Sequence, residues 1–303
     1  MIKNGIVKRF AEVGKIKIGG KGELRKSKDG KDYQLPIRYD SFVITTTEKG
    51  NDGNYLQDKE LMAKLGGKDI KEIPIRLPFD SIDMNFFTSF QYYHGAKCIC
   101  RGDGQKASRI GKEGKETVVT CEPSLCAFLK EEKCKVSGIL SCHVPASMEA
   151  GAIYRFRTHS WNSVSSILAS LEYISDNTRG ILQGLPLKLK FLKKATQEHG
   201  NVNIVTIVLD GIEMMKMRNL ALEEFESRAK LGLDMKQLEH QAREAGVMDD
   251  TDDPADVEAE WYPPSGIEDD SKLLGVTAEQ AHQKLDAPKP EPKKTNENSG
   301  SLL

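Results

Sequence analysis

Six cysteines are the whole thiol content of a 303-residue chain, and all of them fall between Cys98 and Cys142. They run Cys98-x-Cys100, then Cys121-x4-Cys126-x7-Cys134, then Cys142, leaving the first 97 and last 161 positions without a thiol. Turn formers punctuate the cluster: Arg101-Gly102-Asp103-Gly104 follows the first pair, and Glu122-Pro123-Ser124 separates Cys121 from Cys126. In a chain without a secretory leader such a group reads first as a tetrahedral zinc site, which takes four deprotonated soft ligands at about 2.3 Å. The best four ligands are Cys100, Cys121, Cys126 and Cys134. Cys98 is the alternative to Cys100, since only one of the two is expected to face the metal easily. Cys98 and Cys142 lie in apolar-alternating runs, where a plain buried thiol is the commoner outcome. A disulfide set needs an oxidising compartment, which nothing here suggests. His94 and His143 stand in neither an H-E-x-x-H nor an H-x-E context, so the zinc expected is structural.

Charge is spread unevenly under a net charge of −1. Residues 1–50 carry twelve Lys/Arg against six Asp/Glu, whereas residues 249–270 carry ten acids and no Lys or Arg. A basic head and an acidic tail suit a nucleic-acid or acidic-partner surface with an interaction tail, although a solvated segment is the commoner meaning of any one charge run. No apolar stretch approaches the about 18 residues of a membrane span, and no signal-peptide core is present. The expected setting is the cytoplasm of a bacterial host, with no membrane contact and no small-molecule substrate.

Element signals follow in order. Val13–Ile18 alternates at period two and stops at Gly19-Gly20, Asp29-Gly30 suggests a hairpin turn, and Tyr33 to Thr47 is rich in β-branched and aromatic residues. Residues 56–65 suggest a short helix closed by Gly66-Gly67, and Ile73–Phe79, with two prolines, an edge strand. Aromatics Phe86, Phe87, Phe90, Tyr92 and Tyr93 lead into the cysteines. Strands are expected over 135–145 and 152–157, then a helix opened by Ser160-Trp161-Asn162-Ser163, where a hydroxyl or amide can cap it, with the stripe Val164, Ile167, Leu168, Leu171 and Ile174. Residues 187–192 and 202–209 flank a hairpin turn. Charged helix formers continue from Met214, broken at Gly232, and a brief helix is suggested at 277–286. The expected fold is α+β: a β-rich, barrel-like core over residues 1–212 with the cysteine module at 98–142 and one packed helix. A helical extension over 213–246 and a disordered acidic tail over 247–303 follow, with Trp261-Tyr262 as an aromatic anchor.

Catalytic signatures are missing. There is no P-loop, no G-x-G-x-x-G after a strand and no G-x-S-x-G elbow, and the spacing of Asp80, Asp83 and Asp103 is not diagnostic of a two-metal nuclease. No enzyme is expected. Candidate nucleic-acid contacts are the basic side chains Lys15, Lys17, Lys21 and Arg25, with Phe90, Tyr92 and Tyr93 as stacking rings. Against that reading, the lysines serve equally as the wet face of a hairpin and the aromatics as support for the cysteine module.

An ordered set of short motifs links these regions. Gly14-Lys15-Ile16-Lys17-Ile18-Gly19 is followed by Pro36, Tyr39-Asp40-Ser41-Phe42 and Cys100-x-Gly102-Asp103-Gly104. Then come Cys121-x-Pro123 with Cys126 and Cys134, Trp161-Asn162-Ser163-Val164, and Gly184-Leu185-Pro186-Leu187-Lys188-Leu189. Over about residues 13–212 the chain resembles the recombination directionality factor-like family of phages and prophages, some of whose members are labelled hydrolase or metal-binding proteins. The resemblance implies a non-enzymatic accessory protein that binds a large serine integrase and turns it from integration towards excision. It also implies that the four cysteines stand at the family's positions. The rival function is a single-stranded-DNA-binding or DNA replication accessory protein with a structural zinc; a zinc-dependent hydrolase is the third.

Overall fold

The computed structural model describes residues 10–26, 32–94, 97–111, 114–131, 133–147, 151–196, 200–247, 250 and 252–262. The hairpin turn expected at Asp29-Gly30 and the helix at 277–286 lie outside them. The strands are β1 (Ala11–Lys26), β2 (Asp32–Lys49), β3 (Tyr55–Gln57), β4 (Glu72–Ile75), β5 (Phe86–Tyr93) and β6 (Cys98–Gly102). They continue with β7 (Lys106–Ile110), β8 (Glu116–Thr120), β9 (Lys135–Cys142), β10 (Ala152–Thr158), β11 (Leu187–Thr196) and β12 (Gly200–Leu209). The helices are α1 (Lys59–Lys64), α2 (Ile82–Asn85), α3 (Ala127–Lys130), α4 (Trp161–Asn177), α5 (Met214–Leu231), α6 (Met235–Glu244) and α7 (Pro254–Trp261).

Among the described residues nine strands make one sheet in the order β3-β2-β1-β10-β9-β5-β6-β7-β8, and β12-β11-β4 make a second. Every pairing in the large sheet is antiparallel except β1 with β10, where Ile16 stands opposite Phe156. Period-two alternation gives this sheet two unlike faces. Ile44, Ile16, Phe156, Leu140 and Phe86 are successive register partners across five strands, and all are buried. That row meets the small sheet, which contributes Ile73, Ile75, Leu187, Leu189, Phe191, Val205 and Ile207 to the same core. Phe42 bridges the sheets, edge-on to Phe156 at 6.3 Å and to Phe191 at 5.8 Å between ring centroids. Helix α4 is capped by Ser160, whose Oγ accepts from the Ser163 amide, and it buries Val164, Ile167, Leu171 and Ile174.

The barrel-like expectation is corrected. The large sheet is open, with β3 and β8 at separate edges. Its apolar face is covered by a second layer of sheet and helix rather than by curling onto itself. The packed helices also number more than the one expected: α5 sends Met217 and Ala221 into the main core and ends at Gly232, held at φ +67° where glycine is at ease.

Asp80 anchors this extension. Its carboxylate accepts from the amides of Leu182 and Gln183 at 3.0 and 2.9 Å and pairs with Arg228 of α5. Glu239 of α6 accepts from the amides of Asp80 and Ser81, and Arg243 pairs with Asp83 at 2.8 Å.

The expectation that the acidic tail is disordered is corrected for residues 252–262. They carry α7, with Asp253 capping it and Pro254 at its first turn. Its acids meet cations on the sheet, Tyr262 is buried and Trp261 partly so, and the composition argument for disorder fails there.

Candidate nucleic-acid interface and thiol cluster

The cysteine module is built on the meander β6-β7-β8 and the turn into β9. Cys100 lies on β6 opposite Arg109 of β7. Cys121 leaves β8 with its amide bonded to the Gln105 carbonyl at 2.8 Å, Cys126 is the residue before α3, and Cys134 precedes β9. All six thiols are free. Burial, then Cys126, Cys100 and Cys121, push the Cys134 thiol up to about 12, so these four lie within electrostatic reach of one another. Arg109 Nε stands 3.5 Å from Cys100 Sγ, and its guanidinium lies 4.7 Å from the centre of the Phe128 ring. Gly102 makes the close approach possible, since a Cβ there would come within 2.6 Å of Cys121 Sγ. Among the described residues no group of three or more His, Cys, Asp or Glu side chains stands in metal-holding geometry. Cys98 faces elsewhere, towards Tyr93 and Arg101, and Cys142 is sealed in the core, its thiol pushed up to about 12 by burial.

The other face of the large sheet is basic. Lys15 of β1 stands opposite Arg155 of β10, while Lys135 of β9 and Arg101 of β6 both stand opposite Gln91 of β5. Lys17, Lys21, Lys49 and Arg157 extend the patch. The Tyr55 ring lies beneath Lys15, Lys17 and Lys49, at 5.1, 5.1 and 5.3 Å from its centroid. Of the sequence-nominated contacts, the structure brings Lys15, Lys17, Lys21 and Tyr93 to this face; the Arg25 side chain lies outside the described residues. Phe90 and Tyr92 alternate to the opposite side, where Phe90 packs on Trp161 at 5.6 Å and Tyr92 on Phe128 at 5.0 Å. Lys49, Tyr55, Arg101, Lys135, Arg155 and Arg157 were not among the nominated contacts. The alternation Tyr154-Arg155-Phe156-Arg157 was the readable signal for two of them.

This basic face is covered by Asp250 and the acidic residues of 252–262. Asp252 pairs with Lys15 and, at 2.8 Å, with Arg157 Nε, while Asp250 takes Arg157 at 2.6 Å and Arg101 at 3.2 Å. Asp256 binds Lys21 at 2.8 Å, Lys49 at 2.7 Å and the Tyr55 hydroxyl, which donates at 2.8 Å; Glu260 pairs with Lys17. Burial opposes ionisation of Asp252, but Arg157 and Lys15 outweigh it and hold the carboxyl well below the usual carboxylate range. Asp256 is likewise held low, its burial outweighed by Lys21, Lys49 and Tyr55. At the end of α7, Trp261 stacks on His159 at 4.5 Å, Tyr262 meets Tyr93 at 5.4 Å, and the Tyr262 hydroxyl donates to the Gln91 carbonyl at 2.7 Å. Both His159 ring nitrogens and Trp261 Nε1 are buried without a hydrogen-bond partner among the described residues.

The basic face, the thiol module and all but the first two residues of the sheet lie within residues 13–214, which match the family model Recombination directionality factor-like (Gp3-like). The chain belongs to that family. No curated protein matches the sequence. Membership in the recombination directionality factor-like family points to an accessory role in phage recombination. The matched region ends as α5 begins, so the α5–α6 extension and the acidic segment lie beyond it. No helix among the described residues is long and apolar enough to cross a membrane.

Proposed function

We propose that the protein is a non-enzymatic factor that binds a large serine integrase and biases it towards excision. The observation that carries this is the family match over residues 13–214, which takes in all but the first two residues of the two-sheet body. The integrase supplies the chemistry; the factor needs only unequal affinity for two synaptic complexes. Moving the outcome from 1:99 to 99:1 takes about 10⁴-fold difference in affinity, or about 5.5 kcal/mol, which one protein interface can supply. The test is recombination by the cognate integrase on attL × attR and attP × attB substrates. Addition of this protein is expected to activate the first and suppress the second; unchanged yields in both would refute the role.

The thiol cluster we assign to structural zinc. Its donor set fits in kind: burial, with Cys100 and Cys126 close by, pushes the Cys121 and Cys134 thiols up, a repulsion that a dication would relieve. Cys100, Cys121, Cys126 and Cys134 would hold it and tie β6–β8 to the start of β9. Cys126→Ser is expected to lose bound zinc and lower the melting temperature; equal metal content by elemental analysis would remove the assignment.

The basic face favours a second function, binding of single-stranded DNA in phage replication. Lysine and arginine from five neighbouring strands track a polyanion better than they serve an isolated wet hairpin.

A further inference from the structure

We propose that Asp250 and residues 252–262 are an intramolecular stand-in for a nucleic-acid strand, closing the basic face until a single strand displaces them. This rests on the single-strand-binding reading of that face and adds to it a regulator within the same chain. The observation behind it is a double likeness. Asp250, Asp252, Asp256 and Glu260 set a file of anions against Arg101, Arg157, Lys15, Lys21, Lys49 and Lys17. Asp256 and Glu260, four residues apart on α7, are separated by about 6 Å along the helix axis. Beside that file the segment stacks Trp261 on His159 and leans Tyr262, tilted, against Tyr93. Anions in file with flanking aromatic rings are the features by which a groove of cations and aromatic platforms holds an unpaired strand. An acidic peptide would explain the ion pairs alone, and a duplex, with its bases stacked inward, would explain the rings poorly.

The fit is serviceable but incomplete, as suits an occupant meant to leave. Three buried ring nitrogens, two on His159 and one on Trp261, find no partner among the described residues. Base edges carry donors and acceptors that can meet the imidazole, whereas the indole of Trp261 brings one donor and no acceptor. The carboxylates and most of their cations are largely buried, a setting in which Coulomb attraction and desolvation nearly cancel, so a phosphate backbone can exchange with the carboxylates without a large penalty. The segment also lies beyond the family-matched residues 13–214, while the cations it covers lie within them. The basic face therefore lies inside the family-matched region, and its cover lies outside it.

The test uses the full-length protein and fluorescence anisotropy of a labelled oligothymidylate. One variant carries Asp252→Asn, Asp256→Asn and Glu260→Gln, and a second adds Trp261→Ala and Tyr262→Ala. If the closed form exceeds about nine-tenths of the wild-type population, opening it tightens apparent binding about tenfold or more. Freeing Lys15, Lys17 and Lys21 should steepen the salt dependence by about 2 in logarithmic slope, at about 0.7 per single-strand contact. Adding Lys15→Gln and Lys17→Gln should abolish the gain, and circular dichroism confirms that each variant is folded. Lysine-dependent binding that neither acidic-segment variant strengthens would overturn the stand-in alone. No binding by any variant would overturn the groove's nucleic-acid role and the stand-in with it. A gain that survives loss of both lysines would place the strand elsewhere and overturn the proposal too.

Discussion

At the scale of single residues, His159 is the sharpest probe. It sits under Trp261, and burial, then Arg157 and Lys135, hold its pKa well below the ordinary imidazole value, with Asp252 the opposing charge. A histidine depressed in the folded state takes up its proton more readily when unfolded. Stability therefore falls as pH drops below the ordinary value of about 6.5, by up to about 1.4 kcal/mol per pH unit until the folded value is reached. Asp252 and Asp256 behave differently: their depressed values keep them ionised in that window, and their contribution fades only below the ordinary carboxylate range, as pH falls towards the folded values. Thermal melts between pH 7.5 and 5 should show the first loss, and His159→Gln should flatten it; a slope identical in the variant would assign the effect to another group. Gly102 is the other telling position. A valine there drives atoms into Cys121 Sγ and Ala107 Cβ, at 2.6 and 2.8 Å from the Cβ position, and is expected to cost about 1–3 kcal/mol in denaturant unfolding while separating Cys121 from the other thiols.

Among the elements, Asp80 decides whether α5 and α6 stay docked. Asp80→Ala removes one of the two carboxylates paired with Arg228 and the acceptor of two backbone amides at once, an expected loss of about 3 kcal/mol in denaturant unfolding. Asp80→Asn keeps an oxygen for the Leu182 and Gln183 amides and should lose less; equal losses would place the effect in the ion pair alone. Elements were the most legible level of the sequence. Ser160 and the stripe from Val164 to Ile174 announced α4 because cap and periodicity are local properties, and Gly232 announced the break after α5 for the same reason. The faces of Phe90, Tyr92 and Tyr93 were misjoined although period two was already enough to separate Tyr92 from Tyr93.

On the scale of the whole molecule, what the sequence hid was pairing at a distance. Nothing local to Lys15 or to Asp252 says that they meet, and an acidic, proline-containing run reads as solvated until the cations it faces are located in space. The open sheet was hidden for the same reason, since closure or layering depends on which faces find cover. The parallel seam between β1 and β10 carries a consequence for the order of assembly. Ile16 waits for Phe156, 140 residues later, which at about 5–20 residues per second is roughly 7 to 28 seconds of synthesis. Through that interval the leading hairpin lacks its inner neighbour. Its lysines wait longer still, because the carboxylates that neutralise them are almost the last described residues to be made. Each copy is thus born with its cationic surface bare and sheathes it only at the end.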